Sequence, residues 1–402
     1  MSRDVTHAPE RAAEAPSDAG LAKLKQLGTQ IWLDTGNLDE ASRLWRREMS
    51  ALTTNNTLAN QVVQTGLFDD IIPDAAKKIR DIEPGISAED LVMDVAFIVN
   101  CHIALRLVKA FDVLVSVELH PSISHNIEKT LRYAQRYIAI NPDKFIVKIP
   151  MTPEGFCATA RARAEGIPIN YTLGFSARQN YLAALLSKPT YCNVFLGRLN
   201  AVVSDNKLGD GKLVGEKVTL SSQKYVRELR QAHHDIPTHQ IAASLRNADQ
   251  MVALAGGDIF TIPPKAVEEF YGQNRKPADL ESKLGENYSV SFNEGVDRAA
   301  IEVLWTVDDK FKKFAADLAS RGGINLNGDD LRAADKDHGS HLFTGFTQEE
   351  QAEIKVHGKI PETARWAGRA ALDDLMTESA LQSFITDQAA LDARIRKLAS
   401  IV

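Results

Sequence analysis

Three ionisable residues stand where chemistry could be done: Asp34 in "IWLDTGN", Glu118 in "VSVELH" and Lys148 in "KFIVKIP". Each closes, or nearly closes, a short apolar run. A lysine is rarely buried unless it is paired or functional. Taken alone, the heptapeptide fits an ordinary strand lysine that blocks edge pairing or keeps its ammonium in water. The company Lys148 keeps points the other way. Apolar neighbours disfavour the ammonium and favour the free, nucleophilic amine. A free amine adds to a carbonyl and forms a Schiff base, and the protonated imine lets an adjacent carbon–carbon bond break. Such a reaction needs carboxylates to move protons, and Asp34 and Glu118 qualify. Arg198 and Arg246, with Ser244, are suited to a phosphate. Asn55, Asn170 and Thr172 add amide and hydroxyl groups at other run ends. The chain has no Gly-x-Ser-x-Gly elbow and no His/Cys cluster spaced for a metal. The set points to lysine-aldolase chemistry on a sugar phosphate.

Residues so far apart in sequence need a scaffold that brings strand ends together. Eight runs read as strands: Ile31–Thr35, Leu52–Asn55, Asp112–Leu119, Phe145–Ile149, Pro168–Leu173, Cys192–Gly197, His239–Ser244 and Asp258–Ile262. Helical patterns lie between them, with capping-box spacing at Ser176/Gln179 and Asn247/Gln250 and a glycine stop at Gly166. Strands alternating with helices imply parallel pairing through crossovers. Eight is the count that closes a (β/α)8 TIM barrel of about 250 residues, with the active site at the C-terminal strand ends. A doubly wound open sheet is the structural alternative. The expected organisation is a disordered lead-in over residues 1–20, then a single α/β barrel domain over 21–402. That domain carries extra helices, a loop-rich, solvated insertion at about 321–361 and a C-terminal helix.

Composition narrows the function. The net charge of −6 offers no general attraction to nucleic acid or an anionic membrane. Three scattered cysteines, Cys101, Cys157 and Cys192, fit a reducing cytoplasm better than a disulfide framework. The N-terminus lacks the apolar core of a secretory signal, and no apolar run is expected to reach membrane-spanning length. His120 and His125 read as loop polarity. "DNKLGDGKLVGE" places Lys207 and Gly209 where a calcium loop needs oxygen ligands. A monomer and a homodimer are both open.

The segments "WLDTGN", "TTNNTL", "VSVEL", "VKIPMTPEG", "INYTLGFS", "FLGR" and "SLRN" followed by "ALAGGDIFTI" together resemble the transaldolase family in order and spacing. The resemblance spans roughly Ile31 to Pro264, with a similar tail at "ALQSFITDQAALDARIRKLA". It implies a (β/α)8 barrel, no cofactor, no metal and sugar phosphates as substrates. A dihydroxyacetone unit would move between phosphorylated sugars of the pentose phosphate pathway. By the same resemblance Lys148 forms the Schiff base and Asp34 is the acid/base at the C4 hydroxyl. Glu118 acts through a water that Thr172 orients. Asn55 and Asn170 hold the dihydroxyacetone hydroxyls, and Arg198, Ser244 and Arg246 the phosphate. Phe195 matches an aromatic placed near that water. The chain departs from the family pattern at Asn56, where proline is usual, at Asn193, where serine is usual, and at Leu245, where phenylalanine is usual. Asn193 is expected to touch the dihydroxyacetone unit.

Overall fold

The β-branched apolar runs form strands buried on both faces, as a parallel sheet wrapped in helices requires. In the computed structural model, which describes residues 15–401, they are β1 (Gln30–Asp34), β2 (Met49–Thr53), β3 (Leu114–Glu118) and β4 (Phe145–Pro150). There follow β5 (Ile169–Thr172), β6 (Tyr191–Phe195), β7 (His239–Ala243) and β8 (Ile259–Ile262). Each pairs in parallel with the next, and β8 returns to β1, closing the barrel. The expected (β/α)8 architecture is the one found.

Strand boundaries shift by one to three residues from expectation, and for two of them the local reason is plain. β2 ends at Thr53, because the Asn55 side chain accepts the Leu58 N–H at 2.9 Å and starts the helix Asn56–Gln64. β3 begins only at Leu114, because Asp112 adopts φ 52° and caps the preceding helix. The capping box at Ser176 and Gln179 is present in both halves. At Asn247 only the cap forms. Gln250 instead accepts the Arg246 N–H at 2.7 Å and donates to Glu216 at 3.0 Å. Gly166, at φ +82°, follows the helix Pro153–Ala164 as a stop.

The helix Ala88–Phe111 corrects one expectation, since by length and composition it is apolar enough to cross a membrane. Its burial explains the composition. Met93, Phe97, Cys101, Ala104 and Leu107 join the barrel core, whereas Val92, Val95, Val99 and Ile103 join a second cluster with Phe68, Ile72, Leu391 and Ile395. A helix buried on opposite faces is apolar all round.

Residues 321–361 are more ordered than their polarity suggests. They contain the helices Gly328–His338 and Gln348–Val356, each opened by a capping box, Asn327/Asp330 and Thr347/Glu350. Asp335, 2% exposed, accepts the N–H groups of Leu342 and Phe343 at 3.1 and 3.0 Å and the Ser340 hydroxyl. Its carboxylate lets "SHLF" fold inward. Of the expected lead-in, residues 1–14 lie outside the described residues. Ser17 and Asp18 bond Glu48, and Asp18 caps the helix Ala19–Gln26.

The C-terminal helix, Leu372–Leu398, is tied to the barrel top. Asp373 receives Nε and Nη2 of Arg178, both at 2.7 Å, and the Ser176 hydroxyl at 2.7 Å. Thr377 donates to the Leu173 carbonyl at 2.9 Å. Because Arg178 is buried, Asp373→Ala strands an unpaired guanidinium. It is expected to cost about 3–5 kcal/mol in denaturant unfolding. Asp249→Ala, which breaks an exposed pair with Arg275, should cost no more than about 1 kcal/mol.

Candidate active site

Strand register assembles the centre. Glu118 on β3 pairs with Lys148 on β4, and Lys148 pairs with Asn170 on β5, so the three share one level of the barrel. Side chains alternate along a strand, so Thr172 follows Asn170 on the same face. Asp34 pairs across β1 and β2 with Thr53, whose hydroxyl donates to Asp34 Oδ1 at 2.6 Å. All lie at the C-terminal strand ends, the face on which such barrels place their chemistry. Lys144 sits at the opposite end of β4 and bonds Asp112 at 2.8 Å.

Lys148 is 5% exposed. Its Nζ donates to the Thr54 carbonyl at 2.9 Å and stands 3.9 Å from Glu118 Oε2. Burial pushes the Glu118 carboxyl up to about 7, with Lys148 pulling it down and Asp34 pushing it further up. Asp34 is raised by the protein crowding around it, against the pull of Lys148 and the Thr53 hydroxyl. Two carboxyls with weakened acidity therefore flank one amine, and a carboxyl that changes protonation near neutrality is suited to general acid–base work. Among the described residues, Glu118 Oε2, Asn170 Oδ1, Thr172 Oγ1 and Arg198 Nη1 are buried polar atoms with no protein partner. Four such atoms at the C-terminal strand ends leave hydrogen-bonding capacity for a polar ligand.

The remaining candidates fall into two groups. Arg198, in the first turn of the helix Leu196–Asp205, is 5% exposed and lies over the rings of Phe195 (5.7 Å) and Phe384 (5.9 Å). Burial and then the like charge of Arg246 bring its guanidinium down to about 10. Ser244 holds a left-handed φ of 60°, and Gly197 allows the close approach there. A Cβ on Gly197 would lie 2.2 Å from the Ser244 carbonyl and 2.7 Å from the Arg246 Nε. Arg198, Ser244 and Arg246 thus converge at one helix N-terminus, where backbone N–H groups also favour an anion. Asn55 and Asn193 carry structural duties. Asn55 caps the helix that follows β2. Asn193 donates to the Tyr171 carbonyl at 2.6 Å and accepts the Gly174 N–H at 3.1 Å, so both ends of its amide bind backbone.

Sequence reasoning missed several partners. Thr53 holds Asp34, and Ser116 accepts the Asn170 amide at 3.0 Å. Ser116 lies two residues before Glu118, so strand alternation could have found it. Phe384 covers Arg198 from the C-terminal helix, and local sequence carries no signal for that.

Fold and site together define a parallel (β/α)8 barrel centred on a buried lysine between two carboxyls at its mouth. The model of the transaldolase/fructose-6-phosphate aldolase family matches residues 31–323, and the chain belongs to that family. A protein of Chlamydia pneumoniae named transaldolase is 30% identical over 258 residues, covering 61% of this chain and 75% of the relative. A transaldolase of Prochlorococcus marinus is 28% identical over 275 residues, covering 66% and 80%. A probable transaldolase of Dictyostelium discoideum is 26% identical over 330 residues, covering 74% and 95%.

A carboxyl raised by folding binds its proton more tightly in the native than in the unfolded state. Its contribution to stability is present below the unfolded value of about 4.5 and is lost as pH rises towards about 7. Glu118→Gln should therefore gain stability over the parent between pH 5 and 8, by roughly 1–3 kcal/mol, read from urea unfolding at the two pH values. No gain with pH would mean that Glu118 titrates normally.

Proposed function

We propose that the protein is a transaldolase. In this reading it carries a dihydroxyacetone unit from a ketose phosphate, sedoheptulose 7-phosphate or fructose 6-phosphate, to an aldose phosphate, glyceraldehyde 3-phosphate or erythrose 4-phosphate. The observation that carries the reading is Lys148, a buried amine level with Glu118 and Asn170 and flanked by the Glu118 and Asp34 carboxyls.

Lys148 gives up a proton to Glu118 and its free amine adds to the ketose C2 carbonyl. Glu118 returns a proton through a water held by the Thr172 hydroxyl, and the carbinolamine loses water to give the protonated imine. Asp34 takes the C4 hydroxyl proton. The C3–C4 bond breaks, its electron pair moves into the imine, and the first aldose phosphate leaves. The enamine left on Lys148 attacks the acceptor aldehyde, Asp34 returns the proton, and hydrolysis releases the new ketose phosphate. Asn55 and Asn170 hold the dihydroxyacetone hydroxyls. Arg198, Ser244 and Arg246 hold the phosphate, and Phe195 walls the site beside the water. Relatives named transaldolase support the transfer reaction, and three buried free cysteines fit the reducing cytoplasm where pentose phosphates are handled.

The family's description also includes fructose-6-phosphate aldolase, which makes release of free dihydroxyacetone the second reading. Borohydride added with fructose 6-phosphate should leave a reduced adduct on the peptide carrying Lys148 and none in Lys148→Ala. An adduct that persists in the variant would sink the nucleophile assignment. Omitting the aldose acceptor separates the two readings, since a transferase stalls at the enamine while an aldolase turns over. Arg198→Ala should raise KM for the phosphorylated ketose by about 10–100-fold, as loss of a buried charge-assisted contact implies.

A further inference from the structure

One short turn touches the amine and both carboxyls at the centre. Thr53 donates to Asp34, the Thr54 carbonyl accepts from Lys148, and the Asn56 backbone N–H faces the Glu118 carboxylate. Whatever fixes residues 53–56 therefore sets how the amine and both carboxyls stand to one another. Asn56, 2% exposed, is the first residue of the helix Asn56–Gln64, and its side chain does not face solvent. Nδ2 donates to Gln388 Oε1 at 3.1 Å and points at the Leu119 carbonyl at 3.5 Å. Gln388, on the C-terminal helix, is 1% exposed and donates to Asp392 Oδ1 at 2.7 Å. Asp392 Oδ2 meets His120 Nε2 at 3.1 Å. The bonds close a ring: Leu119 and His120 extend the strand that carries Glu118, Asn56 bridges to Gln388, and Asp392 returns to His120. Beside it the Thr57 hydroxyl donates to Asp387. A buried hydrogen bond between two amides restrains both side chains, and losing one member leaves the other unpaired.

We infer that Asn56 and Gln388 are positioning residues, through which the C-terminal helix holds the turn 53–56 and, with it, Glu118 and Lys148 in working geometry. Neither touches the reacting atoms. The inference rests on the lysine-imine reading above, but its closing experiment has one arm that does not need turnover.

In the first arm, Asn56→Ala, Gln388→Leu and the double variant are assayed per active site, counted by borohydride trapping on Lys148. Each single variant should lower kcat about tenfold or more with KM within about threefold, and the double variant should be no worse than the poorer single one. A merely structural role would lower the number of trapped sites and leave kcat per site unchanged, which would overturn the inference. The second arm reads Glu118 itself, as the pH dependence of the stability difference between each protein and its Glu118→Gln counterpart. Lys148, Asp34 and Arg198, the charged groups facing Glu118 from β4, β1 and the helix Leu196–Asp205, stay in place throughout. Asn56→Pro suits a first helical position yet removes the N–H that Asn56→Ala keeps. The Glu118 titration should therefore move upward by half a pH unit or more in Asn56→Pro relative to Asn56→Ala. Identical titrations would show that the turn does not govern Glu118. If the parent forms no adduct while the second arm succeeds, the function reading fails and the control of Glu118 stands.

Discussion

The structure depends on how a primary amine is kept inside a closed parallel barrel. Lys148 has one carbonyl at 2.9 Å and one carboxylate oxygen at 3.9 Å, and little water. That environment exists only in one register. Side-chain direction repeats every second residue, so a slip of one position in β4 would turn Lys148 towards the helix layer and replace it with an aliphatic side chain. Closure of the barrel removes free edges and holds the register on both sides of β4. Electrostatics follow from the same enclosure. Each carboxyl is held back from ionising by burial and drawn towards it by the amine.

Such a centre opposes stability. A buried polar atom without a hydrogen-bond partner costs about 1–3 kcal/mol, and the strand ends of this site carry four of them. The rest of the fold offsets this with ordinary means. The barrel interior and the helices outside it merge into one large apolar cluster. The C-terminal helix is fastened at one end by Asp373 on Arg178 and near the other by Arg394 on Asp69. Between those anchors it lays Phe384 against Arg198 and Gln388 against Asn56. The segment farthest from Lys148 in sequence is thus a wall of the site.

Sequence made the barrel legible because parallel strands and their helices carry strong local signals. All eight apolar runs became strands, and helix starts marked by Ser176 and Gly-terminated ends such as Gly166 fell where expected. Misreadings arose where a side chain served the backbone in an unforeseen way. Asn55 ended β2 two residues early by capping a helix, and Asp335 folded a polar segment inward by satisfying three donors. The mixed polar stretch at 321–361 looks like solvated loop until those partners are known. Within the site, strand order and alternation suffice to place Glu118, Lys148, Asn170 and Thr172. Contacts between distant segments, such as Phe384 with Arg198, leave no periodic trace.

Asn193 shows how one residue type at a strand end can serve two ends. As a departure from the family pattern it invites a reading in terms of substrate choice. Its amide is instead spent on the seam between β5 and β6, where Asn170 with Tyr191 is the one bridged pair. By donating to Tyr171 and accepting from Gly174, it supplies bonds that a longer ladder would have made from backbone. The seam is tight enough that a Cβ on Gly174 would lie 2.2 Å from the Asn193 carbonyl. An amide carries two N–H donors and two acceptor lone pairs, so these two bonds fix the orientation of Asn193 and leave one donor and one acceptor site over. Asn170 Oδ1, Thr172 Oγ1 and Arg198 Nη1 have no partner at all. β5 places the first two and the first turn of the helix Leu196–Asp205 the third, on the same barrel that keeps Lys148 buried.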